Sequence, residues 1–83
     1  MLSRLRSVLE MAEIHHSLHP CFLVDPPCAA IYVKEHELKH VGDAIGRALC
    51  QHDGQVDEPV ASPKVAEYGG DWYVLYWPDV LWI

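Results

Sequence analysis

Apolar residues recur along this chain with two different periods, one helical and one extended. Leu5, Val8, Leu9 and Ala12 follow Ser3 at helical spacing, with Leu2 and Ile14 near the same face. Ser3 can cap the first turn through its hydroxyl. The pattern predicts a helix over 3–17, ended by Pro20, because the residue before a proline is pushed out of helical geometry. Phe22-Leu23-Val24 reads as a short strand, Asp25-Pro26-Pro27 as a turn, and Ala29 to Val33 as a second strand. Asp25 followed by Pro26 is also a good helix start, so a helix over 26–33 is the alternative.

The strongest periodic signal runs from Glu35 to Gln51. Leu38, Val41, Ile45, Ala48 and Leu49 fall on one stripe, and His36, His40, Asp43 and Arg47 fall opposite it. This is an amphipathic helix, stopping at Asp53-Gly54, where glycine suits the left-handed position after a last turn. Gly42 and Gly46 lie beside the stripe, each costing about 1 kcal/mol relative to alanine. Close approach of the helix to a sheet or to another helix is the expected return. From Gln55 to Pro63 the pattern dissolves into a proline-containing polar loop. Lys64 to Tyr68, a Gly69-Gly70 turn, and Asp71 to Trp77 then carry a hairpin signature, with Pro78 ending the second strand and Val80 to Ile83 extended and docked.

The predicted order is helix, two short strands, helix, hairpin. It makes a single α+β domain over 1–83, with a small antiparallel sheet, both helices packed on one face, and a C-terminal aromatic β-hairpin. Such a two-layer arrangement leaves the second sheet face open. Six of the eight aromatic residues lie from Tyr68 onward. In a strand, Trp72, Val74 and Tyr76 point one way and Tyr73, Leu75 and Trp77 the other. The two sets should therefore differ in burial, and the more exposed set marks a binding side.

Charge narrows the choice of partner. Twelve Asp and Glu against six Lys and Arg give a formal net charge of -6. From Cys50 onward Asp53, Asp57, Glu58, Glu67, Asp71 and Asp79 face only Lys64. Direct nucleic-acid binding is disfavoured, since phosphate contacts need clustered Lys and Arg. A basic protein surface is the better match. The three cysteines, Cys21, Cys28 and Cys50, form no CxxC pair and point to a reducing cytoplasm. Cys21 and Cys28 can oppose each other across a turn and oxidise, or serve as small buried apolar groups. The N-terminal segment carries no signal-peptide pattern, and no run reaches the roughly 20 apolar residues of a membrane span.

Two histidine pairs at helical i,i+4 spacing, His15 with His19 and His36 with His40, could chelate a transition metal, with Cys21, Cys50 or His52 as further ligands. Neither pair has the glutamate of a zinc-protease motif, and His36 and His40 lie opposite the apolar stripe. Solvated histidines and no bound cofactor are the expectation. No serine sits in a nucleophile elbow and no glycine run has phosphate-cradling spacing, so the chain reads as a non-enzyme.

By length, acidity, the loop Asp53 to Glu58, and a helix followed by an aromatic hairpin, the chain resembles the small acidic proteins of phages and mobile elements, among them the anti-CRISPR proteins. That resemblance implies an α+β domain without catalytic residues that blocks a CRISPR effector at a basic, nucleic-acid-facing surface. It carries over no individual residue. The expected function is a non-enzymatic inhibitor, with Asp53, Asp57, Glu58, Glu67 and Asp71 supplying charge and Trp72, Tyr73, Tyr76, Trp77 and Trp82 the anchors. The alternatives are a homodimeric accessory subunit joined through its aromatic strand and a histidine-rich metal binder.

Overall fold

A computed structural model describes residues 2–13, 18–53 and 60–82. The order is α1 (Leu2–Met11), β1 (Leu18–Cys21), β2 (Cys28–Lys34), α2 (Glu35–Asp53), β3 (Lys64–Gly69) and β4 (Trp72–Leu81). The four strands form one sheet in the order β1-β2-β4-β3, every neighbouring pair antiparallel. This is the expected α+β architecture, and both helices lie on one face. Leu5, Val8 and Leu9 of α1 and Val41, Ile45, Ala48 and Leu49 of α2 share a core with Ile31, Leu75 and Trp77 of the sheet.

The first helix is shorter than its apolar spacing suggests. Helical structure ends at Met11, and Glu13 takes a left-handed φ of 63°, which breaks the helical path. The rest of the expected span, 14–17, lies outside the described residues, as does His15.

The first strand is displaced from Phe22–Val24 to Leu18–Cys21, with Pro20 inside it. Proline is tolerated there because β1 is an edge strand and needs no donor on its outer side. Phe22, Leu23 and Val24 instead belong to the connection 22–27, which contains a cis Asp25–Pro26 peptide bond. Strand β2 is the extended alternative for that region, and the helix over 26–33 does not form. Its residues alternate, Ala29, Ile31 and Val33 toward the helices and Cys28, Ala30 and Tyr32 away.

Helix α2 follows β2 without a linker, and the Glu35 amide donates to the Asp71 carbonyl at 2.7 Å, tying its first turn to the β3–β4 turn. The expected tight approach at Gly42 and Gly46 is absent. A methyl group placed at either would meet nothing within 4 Å.

The hairpin forms where its glycines predict, with positive φ at Gly69 and Gly70 (127° and 59°). Pro78 does not end β4. The ladder to β2 steps from Ala29↔Trp77 to Cys28↔Leu81, so residues 78–80 bulge out of register. The ladder to β3 has already finished at Lys64↔Tyr76. Pro78 therefore has no ladder bond to lose. Beyond the bulge Val80 returns to the core, and the Trp82 amide donates to the Pro27 carbonyl at 3.0 Å.

Candidate functional site: the uncovered sheet face

The alternation of β4 sends its two residue sets to opposite environments. Leu75 and Trp77 are 2% and 1% exposed beneath the helices, and Tyr73 packs half-buried beside them. Trp77 is locked further by its indole N–H, which donates to the Ala61 carbonyl at 2.9 Å. On the other face Val74 is buried, Tyr76 is half-buried and Trp72 is 40% exposed.

Neighbouring strands extend the open face. Tyr32 lies beside Tyr68 with ring centroids 4.8 Å apart in an edge-on arrangement, a favoured geometry for aromatic pairs. The Tyr32 hydroxyl donates to the Pro20 carbonyl at 3.2 Å, fixing the ring against β1. His19 approaches the same ring at 6.5 Å. Lys34 places its ammonium 4.7 Å from the centre of the Trp72 ring and 3.4 Å from Asp71 Oδ1, so this cation bridges a π-face and a carboxylate. Together His19, Pro20, Phe22, Tyr32, Tyr68 and Trp72 line a shallow concavity of 460 Å³. Phe22 and Tyr68, at 75% and 54%, are the most exposed of these aromatics.

Beneath this surface is a small second core of Cys21, Cys28, Ala30 and Val74, covered by Val24, Tyr32, Ala66 and Tyr76. Its dryness acts on the groups in it. Burial first, then the neighbouring Cys21 thiol, pushes the Tyr32 phenol up to about 12. The Cys28 thiol is raised by the same two causes.

The candidate anchors read from the sequence divide between the faces. Trp72 and Tyr76 belong to the open face. Tyr73, Trp77 and Trp82 are on the helix side, where Trp82 packs against the core with the Arg6 guanidinium 6.0 Å from its ring. The acids divide as well. Asp71 sits in the hairpin turn beside Lys34, whereas Glu67 is paired in register with Tyr73 and shares its side of the sheet. Asp53 closes α2, and its side chain, like Asp57 and Glu58, lies outside the described residues.

Phe22, Tyr32, Tyr68 and Lys34 are the contributors that sequence reasoning did not single out. For Tyr32 and Lys34 a signal existed, since both share the parity of Cys28 and Ala30 in β2. For Phe22 none did, because its exposure follows from the shift of β1 to 18–21.

The homodimer expectation also changes in form. Strand β4 is interior, paired on one side with β2 and on the other with β3, so its backbone is not free over Trp72–Tyr76. The sheet edge on that side is β3. His36 and His40 are exposed on α2, and among the described residues no group of three or more His, Cys, Asp or Glu could hold a metal ion. No described helix is long and apolar enough to cross a membrane. Comparison with family models, with curated proteins and with solved structures returns no match, so the reading of this face rests on its own geometry.

Proposed function

We propose that this protein is a non-enzymatic interaction protein whose uncovered sheet face docks on a basic partner protein. By the resemblance to anti-CRISPR proteins, that partner is a nucleic-acid-handling complex which docking inhibits. The observation that carries the reading is the concentration of Phe22, Tyr68 and Trp72, all exposed, around one concavity on the face that no described helix covers. Exposed aromatics of this size anchor interfaces because they bury large area at little conformational cost. The net charge of -6 favours a cationic partner, and Asp25 and Asp71 are exposed on the connections at either end of this face.

The test is a titration of the protein into purified CRISPR effector complexes, with target-DNA binding followed by fluorescence anisotropy. Loss of DNA binding is expected, and a Tyr68→Ala/Trp72→Ala double variant should need at least about tenfold more protein for the same effect. Inhibition untouched by the double variant would move the docking surface elsewhere. Failure to inhibit any effector would end the inhibitor reading while leaving the face as an interface.

A second reading has an observation of its own. All of β3 except Ala66 is exposed, and no described strand pairs with its outer edge, which is the arrangement that accepts another strand. Light scattering at micromolar concentration separates the two readings, since pairing through β3 requires a dimer.

A further inference from the structure

Cys21 and Cys28 face each other directly across the β1–β2 ladder, as the last registered pair before the connection 22–27. Both are free, and both are completely buried. Directly opposed residues of an antiparallel pair have Cα atoms about 4.5 or 5.5 Å apart, depending on whether the pair is hydrogen-bonded. Both distances fall inside the range of roughly 4.4–6.8 Å that a disulfide spans. Their side chains also leave the sheet on the same face, in the same small core. Two cysteines used only to fill space need no such register. Either could be an alanine, as Ala30 and Ala66 are in that cluster.

The geometry points to Cys21 and Cys28 as an oxidation site, a vicinal dithiol that a small-molecule disulfide such as oxidised glutathione converts to a cross-strand disulfide closing the β1–β2 connection at its base. One cysteine, as its thiolate, attacks the small disulfide, breaking that S–S bond and releasing one small thiol. The second cysteine gives up its proton and attacks the protein-bound sulfur, releasing the other small thiol. The protein loses two protons and two electrons, and the oxidant gains them as two thiols.

Burial sets the rate. A thiol raised by an apolar environment is a poor nucleophile while the fold is closed, so reaction proceeds through opening of β1. That strand is four residues long and lies at the sheet edge, so its opening breaks a single ladder and lifts Leu18 from the main core. The link to the open face is direct. Phe22, which lines the aromatic concavity, is the residue after Cys21, and Pro20, which also lines it, is the residue before. A bridge at this position holds both on the rim, and the reduced pair lets them move with β1.

The experiment uses a Cys50→Ser variant, which removes the exposed thiol and leaves the native pair intact. The protein is incubated with oxidised glutathione, acid-quenched, denatured and alkylated with N-ethylmaleimide. The expected product has lost two hydrogen atoms by intact mass, carries neither maleimide nor glutathione, and unfolds at a higher urea midpoint that dithiothreitol restores to the reduced value. Bridging should quicken in urea concentrations below the unfolding transition, where β1 opens. A glutathione adduct that persists on either cysteine, or two thiols still open to maleimide after that treatment, overturns the proposal. So does a bridged protein with a lowered midpoint, because the native register would then not accommodate the bond.

Discussion

The two faces of the sheet are built from the same kinds of residue and do opposite things. Under the helices, Ile31, Leu75 and Trp77 are sealed, and the single polar atom of Trp77 is satisfied by a backbone carbonyl. On the other side Tyr32, Tyr68 and Trp72 form an aromatic surface that nothing in the described chain covers; Tyr32 bonds the Pro20 carbonyl, and Trp72 meets the Lys34 ammonium, which Asp71 also holds. The difference lies in how many elements the chain has available. Among the described residues two helices cover one face of the four-stranded sheet, and no third layer lies on the other. Hydrophobicity of a strand face therefore shows that it wants cover, not where the cover comes from.

The sharpest break of this comparison is a pair of tryptophan truncations read by urea unfolding. Trp77→Ala should cost about 3–5 kcal/mol, because it opens a cavity in the main core and orphans the Ala61 carbonyl. Trp72→Ala should cost no more than about 1 kcal/mol, since it removes a partly exposed ring and its contact with Lys34. Equal losses would mean that the open face is as structural as the covered one.

A smaller effect probes the polar tip of the open face. Tyr32→Phe removes the hydroxyl that bonds Pro20 and should cost about 0.5–1.5 kcal/mol at neutral pH. It should also flatten an alkaline slope. The folded phenol stays protonated until about 12, whereas the unfolded one ionises near its ordinary value of 10.0. The unfolded chain thus releases its proton first, and the native state's advantage, complete below that ordinary value, is lost as pH rises through this window. Thermal melts across it should show a steeper decline for the wild type than for Tyr32→Phe.

The smallest expected change concerns the outer surface of α2. Gly42→Ala and Gly46→Ala should each stabilise by about 0.5–1 kcal/mol in the same unfolding assay, because the added methyl meets nothing and the unfolded chain loses freedom. A loss at either position would reveal an unrecognised constraint on that surface.

Much of the architecture was legible from residue order. The stripe of α2, the glycine pair of the β3–β4 turn and the opposed sets in β4 all follow from local periodicity, which the tertiary structure keeps. The errors cluster at prolines. Pro20 is expected to end a helix and Pro78 to end a strand, yet each lies within a strand, one at an edge and one at a bulge. A proline forbids only the hydrogen bond its own nitrogen would donate, and whether that bond is needed depends on which strand lies alongside. The candidate site was half legible for a related reason. Parity within β4 separated Trp72 and Tyr76 from Tyr73 and Trp77, but that Phe22, Tyr32 and Tyr68 gather beside Trp72 depends on the order β1-β2-β4-β3.

By itself, then, the sequence determined the number and kind of elements, the acidity, and the existence of two apolar strand faces, because periodicity and charge are properties of neighbours along the chain. Tertiary structure alone decided that the set containing Trp77 is the covered one, that Cys21 meets Cys28, and that Glu67 turns away from the aromatic concavity while Asp71 stays at its margin. Those outcomes depend on strand order and on which face the helices reach, and both are settled by packing among residues far apart in sequence.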